Sequence, residues 1–118
     1  MFMKEIATAV QYDAPVTCAI FDNSSLHWVK WIQRGLGVKE IGVDFIVNPD
    51  FTKIAEAYKC YGFRVERPSE IRPALEAGLK STRKGTPAIL DFVIDTWDQP
   101  EGFVKFHEKI WDIPAPKT

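Results

Sequence analysis

The sequence predicts an α/β fold in three layers, a parallel sheet carrying helices on both faces. Two observations predict it. Segments with apolar residues at helical spacing alternate with short apolar runs of strand length, and the links between them are short. A strand–helix–strand–helix–strand order of this kind closes into a parallel sheet through right-handed crossovers.

From the start, Met3 to Gln11 places Met3, Ile6, Ala7 and Val10 at i, i+3, i+4 and i+7, the apolar stripe of a helix. Asp13-Ala14-Pro15 ends it, and Val16 to Phe21 follows as a nearly continuous apolar run that suits a parallel strand buried on both faces. The polar stretch Asp22 to Ser25 marks the carboxyl end of that strand. Leu26 to Gln33 reads as a short helix bearing Trp28 and Trp31, with Gly35 and Gly37 ending it before an irregular stretch through Val47.

Asp50 is a good N-cap for a helix whose inward positions are Phe51, Ile54, Ala55 and Tyr58, with Gly62 beyond its end. Phe63 to Glu66 is then a short strand. Pro68 or Ser69 opens a helix expected to turn Ile71, Ala74, Leu75 and Leu79 inward, with Pro73 placed near the first turn. Ala88 to Ile94, apolar except for Asp91, is the last strand. The chain is therefore read as a domain over residues 1–95 followed by a tail, 96–118, rich in aromatic residues and proline.

At 118 residues, 46% of them hydrophobic, the chain builds one modest core at most. Fifteen Lys and Arg against sixteen Asp and Glu leave no global field that would draw it to nucleic acid or an anionic membrane. Its apolar runs fall far short of the ~20 residues that span a bilayer, and Lys4-Glu5 interrupts any secretory signal, so a cytoplasmic location is expected. Cys18 and Cys60 follow no metal-binding spacing and are read as reduced packing residues.

Ligands of open α/β sheets sit beyond the carboxyl ends of the strands, which directs attention to Asp22-Asn23-Ser24-Ser25. These are hard oxygen donors of the kind Mg²⁺ prefers. They are equally the residues that turn a chain and cap the next helix, and on composition alone that second reading is the commoner one. His27, Trp28 and Trp31 would bring an imidazole and aromatic surface nearby. The two histidines, His27 and His107, form no metal-binding pair, and there is neither a nucleophile motif nor a phosphate-cradling glycine loop. The tail segment Gly102 to His107 is amphipathic and is expected to cover a core or a partner subunit.

The order of segments resembles a known family. The pieces are Lys4 to Val10, Pro15-Val16-Thr17, Phe21-Asp22-Asn23, Asn48 to Ala57, Gly62 to Ile71, Ala74 to Ala77 and Thr86 to Leu90. Together they are similar to the C-terminal domain of acetolactate synthase and its relatives, among them benzoylformate decarboxylase, pyruvate oxidase and sulfoacetaldehyde acetyltransferase. The resemblance implies a thiamine-diphosphate-binding fold and an enzyme that decarboxylates or carboligates a 2-oxo acid. It also implies that the Asn23 side chain and the Ser25 backbone carbonyl are ligands of the Mg²⁺ that clamps the cofactor diphosphate. Leu26 and His27, with Trp28, would lie near the thiamine.

The family motif pairs a Gly-Asp-Gly with Asn-Asn some 25–30 residues later. Here Asp22 stands for the first Asn, Ser24-Ser25 depart from the acetolactate synthase pattern, and the Gly-Asp-Gly would fall just before Met1. The resemblance thus implies a domain incomplete at its N-terminus, without the activating glutamate that the family supplies from a separate domain, and inactive as an isolated chain. No catalytic residue is assigned. A subunit of a split enzyme that docks on a complementary chain, and a non-catalytic binding module of the same fold, stay open beside this reading. An open sheet edge and the tail residues Trp97, Phe103, Phe106 and Trp111 lead to an expectation of homo-oligomers or a complementary partner.

Overall fold

A computed structural model describes residues 3–95. The elements in order are α1 (Met3–Gln11), β1 (Thr17–Asp22), α2 (His27–Gly35), α3 (Phe51–Ala57), β2 (Tyr61–Val65), α4 (Pro68–Arg83) and β3 (Ala88–Val93). Within the described residues one compact unit takes in the chain up to Asp22 together with Pro49–Ile94, and a second takes in Asn23–Asn48. The expected tail of 96–118 lies outside the described residues.

The first unit holds a three-stranded parallel sheet in the order β1-β3-β2. Thr17 and Tyr61 both pair with Ala88, so the last strand in sequence is the central one. Alternation then assigns the faces. Ile89 packs with Ile6 of α1, Ala55 of α3 and Cys60 on one side. Leu90 and Phe92 pack with Val65 and with Ala74 of α4 on the other. Helices thus cover both faces of the sheet, as the alternating pattern predicts.

Several inward-facing residues differ from the sequence expectation, each for a physical reason. In α1 the buried pair is Ile6 and Ala9, while Ala7 and Val10 are exposed. In α4 the buried positions are Ala74 and Gly78, and Ile71, Leu75 and Leu79 form an exposed apolar row beside them. The helix sits close to the sheet: a Cβ on Gly78 would lie 3.2 Å from Leu90 Cδ1. Only small residues fit that row, and periodicity alone does not distinguish it from the larger row one position around. Pro73 is the sixth residue of this helix, deeper than the first turn, and the helix continues past it to Arg83.

β1 is not buried on both faces. With β3 on one side only, it is an edge strand among the described residues, and Phe21 is 70% exposed while stacking on Phe92 at 5.8 Å. The strand buried along nearly its whole length, from Ala88 to Phe92, is β3. Its Asp91 is fully buried, and Arg64, its register partner on β2, reaches it with Nη1 at 2.7 Å from Oδ2. The same guanidinium lies 3.8 Å from Asp22 at the end of β1. Burial pushes the Asp91 carboxyl above the usual carboxylate range, against the pull of Arg64.

Asp50 caps α3 as expected, accepting from the Thr52 and Lys53 N–H groups at 3.0 and 3.1 Å. Gly62 lies beyond the end of that helix, as expected. It stands inside β2, where α3 crosses so closely that an added Cβ would meet Ala55 Cβ at 2.8 Å and the Thr52 backbone at 3.1 Å. Gly62→Ala is therefore expected to destabilise the fold by about 1–3 kcal/mol through overpacking. Chemical denaturation of the two proteins side by side measures it, and an unchanged midpoint would contradict the close approach.

Candidate functional site

The turn that follows β1 is shaped by its own polar residues. Ser24 adopts a left-handed backbone with φ of 54°, uncommon for a residue other than glycine or asparagine. Asn23, half-buried, folds its side chain over this bend. Its Oδ1 accepts the Ser25 N–H at 3.2 Å and the Ser25 hydroxyl at 3.4 Å, the i to i+2 pattern of an Asx turn. The N-cap of α2 is Leu26, and no side chain caps that helix. Asn23 and the two serines thus turn the chain without capping α2.

A second segment holds this turn from the far side of the irregular stretch. Ser25 and Asp44 form an antiparallel bridge flanked by two hydrogen bonds, Leu26 N–H to Val43 O at 2.7 Å and Phe45 N–H to Ser24 O at 2.9 Å. In such a pair the backbone groups of the facing residues point away from the partner segment. The Ser25 N–H accordingly goes to Asn23 Oδ1, and the Ser25 carbonyl takes no part in the bridge. Asn48 adds a bond from Nδ2 to the Ser24 hydroxyl at 3.3 Å.

The irregular stretch is fastened to α2 by charged and amide side chains. Lys30 Nζ bonds both Asp44 oxygens at 2.8 and 3.0 Å. Arg34 pairs with Glu40 at 2.6 Å. Gln33 both donates to the Ile41 carbonyl at 3.2 Å and accepts the Ile41 N–H at 2.9 Å. Gly37 and Gly42, with φ of 68° and 69°, allow the reversals this requires. Beneath these contacts Val43 is buried.

Of the residues singled out from sequence, the structure brings Asn23 and Ser25 into direct contact. Leu26 is about half exposed at the head of α2. His27 turns along its own helix, where its Nε2 accepts the Trp31 indole N–H at 2.9 Å. That bond requires an unprotonated Nε2, so the neutral imidazole carries its proton on Nδ1. Burial and the nearby cations Lys30 and Arg34 lower the His27 pKa, while Asp44 and Glu40 oppose them. Lys30, Asp44 and Asn48 went unnoticed in the sequence, because they lie in or contact a stretch with no periodicity.

Chemically, the turn offers neutral oxygen donors. Asn23 Oδ1 accepts two long bonds from Ser25, of which the 3.4 Å hydroxyl bond is the easier to exchange for a cation, and the Ser25 carbonyl stands outside the bridge. Such donors fit a hard divalent cation such as Mg²⁺. No group of three or more His, Cys, Asp or Glu side chains able to hold a metal occurs among the described residues. Further oxygens must therefore complete any such shell.

The family model described as "Thiamine pyrophosphate enzyme, C-terminal TPP binding domain" matches residues 1–92. A probable acetolactate synthase large subunit of Methanococcus aeolicus is 38% identical over 96 residues, covering 80% of this chain and 16% of its own length. Pyruvate oxidase of Lactiplantibacillus plantarum is 34% identical over 101 residues, covering 85% of this chain and 16% of its own. Oxalyl-CoA decarboxylase of Escherichia coli K12 is 32% identical over 97 residues, covering 77% and 16%. The chain thus spans about a sixth of the length of these curated relatives.

The Trp31 bond and the neighbouring cations all favour neutral His27, which fixes the sign of a pH effect. His27 is expected to titrate below the ordinary imidazole value of about 6.5. The stability contributed by its neutral form is complete above that value and declines as pH falls below it, since the unfolded chain then binds the proton first. Proton NMR titration, with the signal assigned through His27→Gln, measures the midpoint; Trp31→Phe, which removes the donor to the neutral form, should raise it.

Proposed function

The chain belongs to the family of C-terminal TPP-binding domains of thiamine pyrophosphate enzymes, and on that premise we propose that it serves an acetolactate synthase-like enzyme that decarboxylates or carboligates a 2-oxo acid. Thiamine diphosphate, when bound, supplies the nucleophilic carbon and the electron sink this chemistry needs. The role of the chain's own residues is binding and orientation. Asn23, through Oδ1, and Ser25, through its backbone carbonyl, are assigned as Mg²⁺ ligands, the ion in turn holding the cofactor diphosphate. Leu26 and His27 are assigned to the surroundings of the thiamine.

The observation that carries this reading is the Asx turn with its free-standing Ser25 carbonyl: two neutral oxygen donors beside the carboxyl end of a strand, at the Phe21-Asp22-Asn23 piece that resembles the family motif. With no carboxylate cluster among the described residues, the rest of the shell is assigned to cofactor phosphates and to protein residues outside 1–118. The 118-residue polypeptide on its own is therefore proposed to be inactive, acting within a larger protein or beside a complementary chain. Partners of this kind are supported by the exposed edge of β1 and by the apolar row Ile71, Leu75 and Leu79. A cytoplasmic site of action accords with two free thiols, Cys18 and Cys60, and none of the described helices is long and apolar enough to cross a membrane.

Two measurements test the proposal. The purified 118-residue chain with thiamine diphosphate, Mg²⁺ and pyruvate should release no carbon dioxide and show little thermal shift; turnover would refute the division of the site. A chimera should then be made in which residues 1–118 replace the matching segment of the Methanococcus aeolicus relative. It should bind thiamine diphosphate in the presence of Mg²⁺, and Asn23→Ala should weaken that binding at least about tenfold. Equal affinity with either residue would show that Asn23 is not a ligand. Separately, sedimentation of the unmodified chain is expected to show self-association at high concentration, and a strictly monomeric species would count against the exposed edge as a docking surface.

A further inference from the structure

The second compact unit contains a device that the turn's own residues do not explain. Ser24 and Ser25 are held by residues 19 to 24 positions away, through Asp44, Phe45 and Asn48. Asp44 stands at the centre. Its backbone faces Ser25 across the bridge, and its carboxylate is gripped by Lys30 of α2. The Lys30 side chain as a whole is only 14% exposed, its stem covered while its ammonium meets the largely exposed Asp44 carboxylate, and it also lies 3.6 Å from Glu40. Two bonds from one ammonium to both Asp44 oxygens constrain where Asp44 can sit.

We propose that Asp44 is the positioning residue of the Asn23–Ser25 turn: anchored by Lys30, it holds the bridge that directs the Ser25 N–H onto Asn23 Oδ1 and leaves the Ser25 carbonyl outside the ladder. Asn48, bonded to the Ser24 hydroxyl, fastens the other end of the same segment. The inference rests on the assignment of Asn23 and Ser25 as cation ligands. On that assignment, α2 acts on the ion without touching it, by way of Lys30, Asp44 and the bridge. The geometry of the two donors is then set by an ion pair that no motif in the turn encodes.

The test uses the ¹⁵N-labelled full chain and two variants, Asp44→Asn and Lys30→Gln. Both break the same ion pair but change the local charge in opposite directions. Amide exchange of Ser25 and Leu26 should quicken roughly two- to fivefold in both, in line with the loss of one exposed ion pair, while Ala88, bonded to Val16 in the sheet, stays unchanged. Mn²⁺ is then titrated as a paramagnetic probe that shares the oxygen preference of Mg²⁺ and reveals occupancies too low for a thermal shift. Broadening at Asn23 and Ser25 in the unaltered chain should weaken in both variants.

Weaker broadening in Asp44→Asn but stronger broadening in Lys30→Gln would mean that Asp44 attracts the ion directly, and would overturn the positioning role. Unchanged exchange in both variants would overturn it as well. Absence of any broadening at Asn23 and Ser25 in the unaltered chain would remove the cation assignment itself, and this inference with it, whatever the exchange rates.

Discussion

A single carboxylate in the middle of the sheet constrains the first unit more than any other group. Asp91 lies on the central strand with no exposure to solvent, and a buried charge of this kind is tolerable only when paired. Arg64 answers from the register position on β2 and extends toward Asp22 at the end of β1. Three strands that are separate in sequence are thereby tied at their carboxyl ends by one guanidinium. One Asp91 oxygen, Oδ1, has no hydrogen-bond partner among the described residues, so the pairing there is incomplete and the fold carries part of the desolvation cost. Replacing Arg64 leaves the Asp91 carboxylate buried without its cation, whereas an apolar residue at position 91 would not need one.

The alternation of elements was legible because the apolar runs and helical stripes lie on separate segments, and α1, α3, α4 and β3 stand within a few residues of where periodicity sets them. What periodicity leaves open is which row of a helix faces inward when two rows are both apolar. Ala74 and Gly78 win in α4 because the sheet is too close for Leu75 or Leu79. The same close packing explains Gly62, which reads in sequence as a breaker and in space as the floor beneath α3. β1 reads as buried because its residues are apolar, yet burial also depends on having strands on both sides.

At the candidate site the division is similar. Asn23 and Ser25 could be picked out by residue type and by resemblance, and their contact is local, two positions apart. The elements that hold them are not local. Lys30 bonds Asp44 across 14 positions and Asn48 bonds Ser24 across 24, and a charged residue in an irregular stretch carries no periodic signature. Membership of the thiamine pyrophosphate enzyme family is what draws attention to the turn, while the ion pairs and amide bonds of α2 fasten the irregular stretch that leads back to it.

The strand order has a consequence for how the chain is born. Among the described strands β3 is the last to leave the ribosome and the one that both β1 and β2 pair with. Until Ala88–Val93 has been synthesised, both earlier strands lack a hydrogen-bond partner in this sheet, however long they have been available. The sheet must assemble at once when its centre arrives, with Thr17 and Ala88 brought together across most of the described chain. Parallel pairings of such wide separation form slowly. During translation the apolar residues of β1 therefore remain open to chaperones, and to aggregation, until the residues of β3 have followed them.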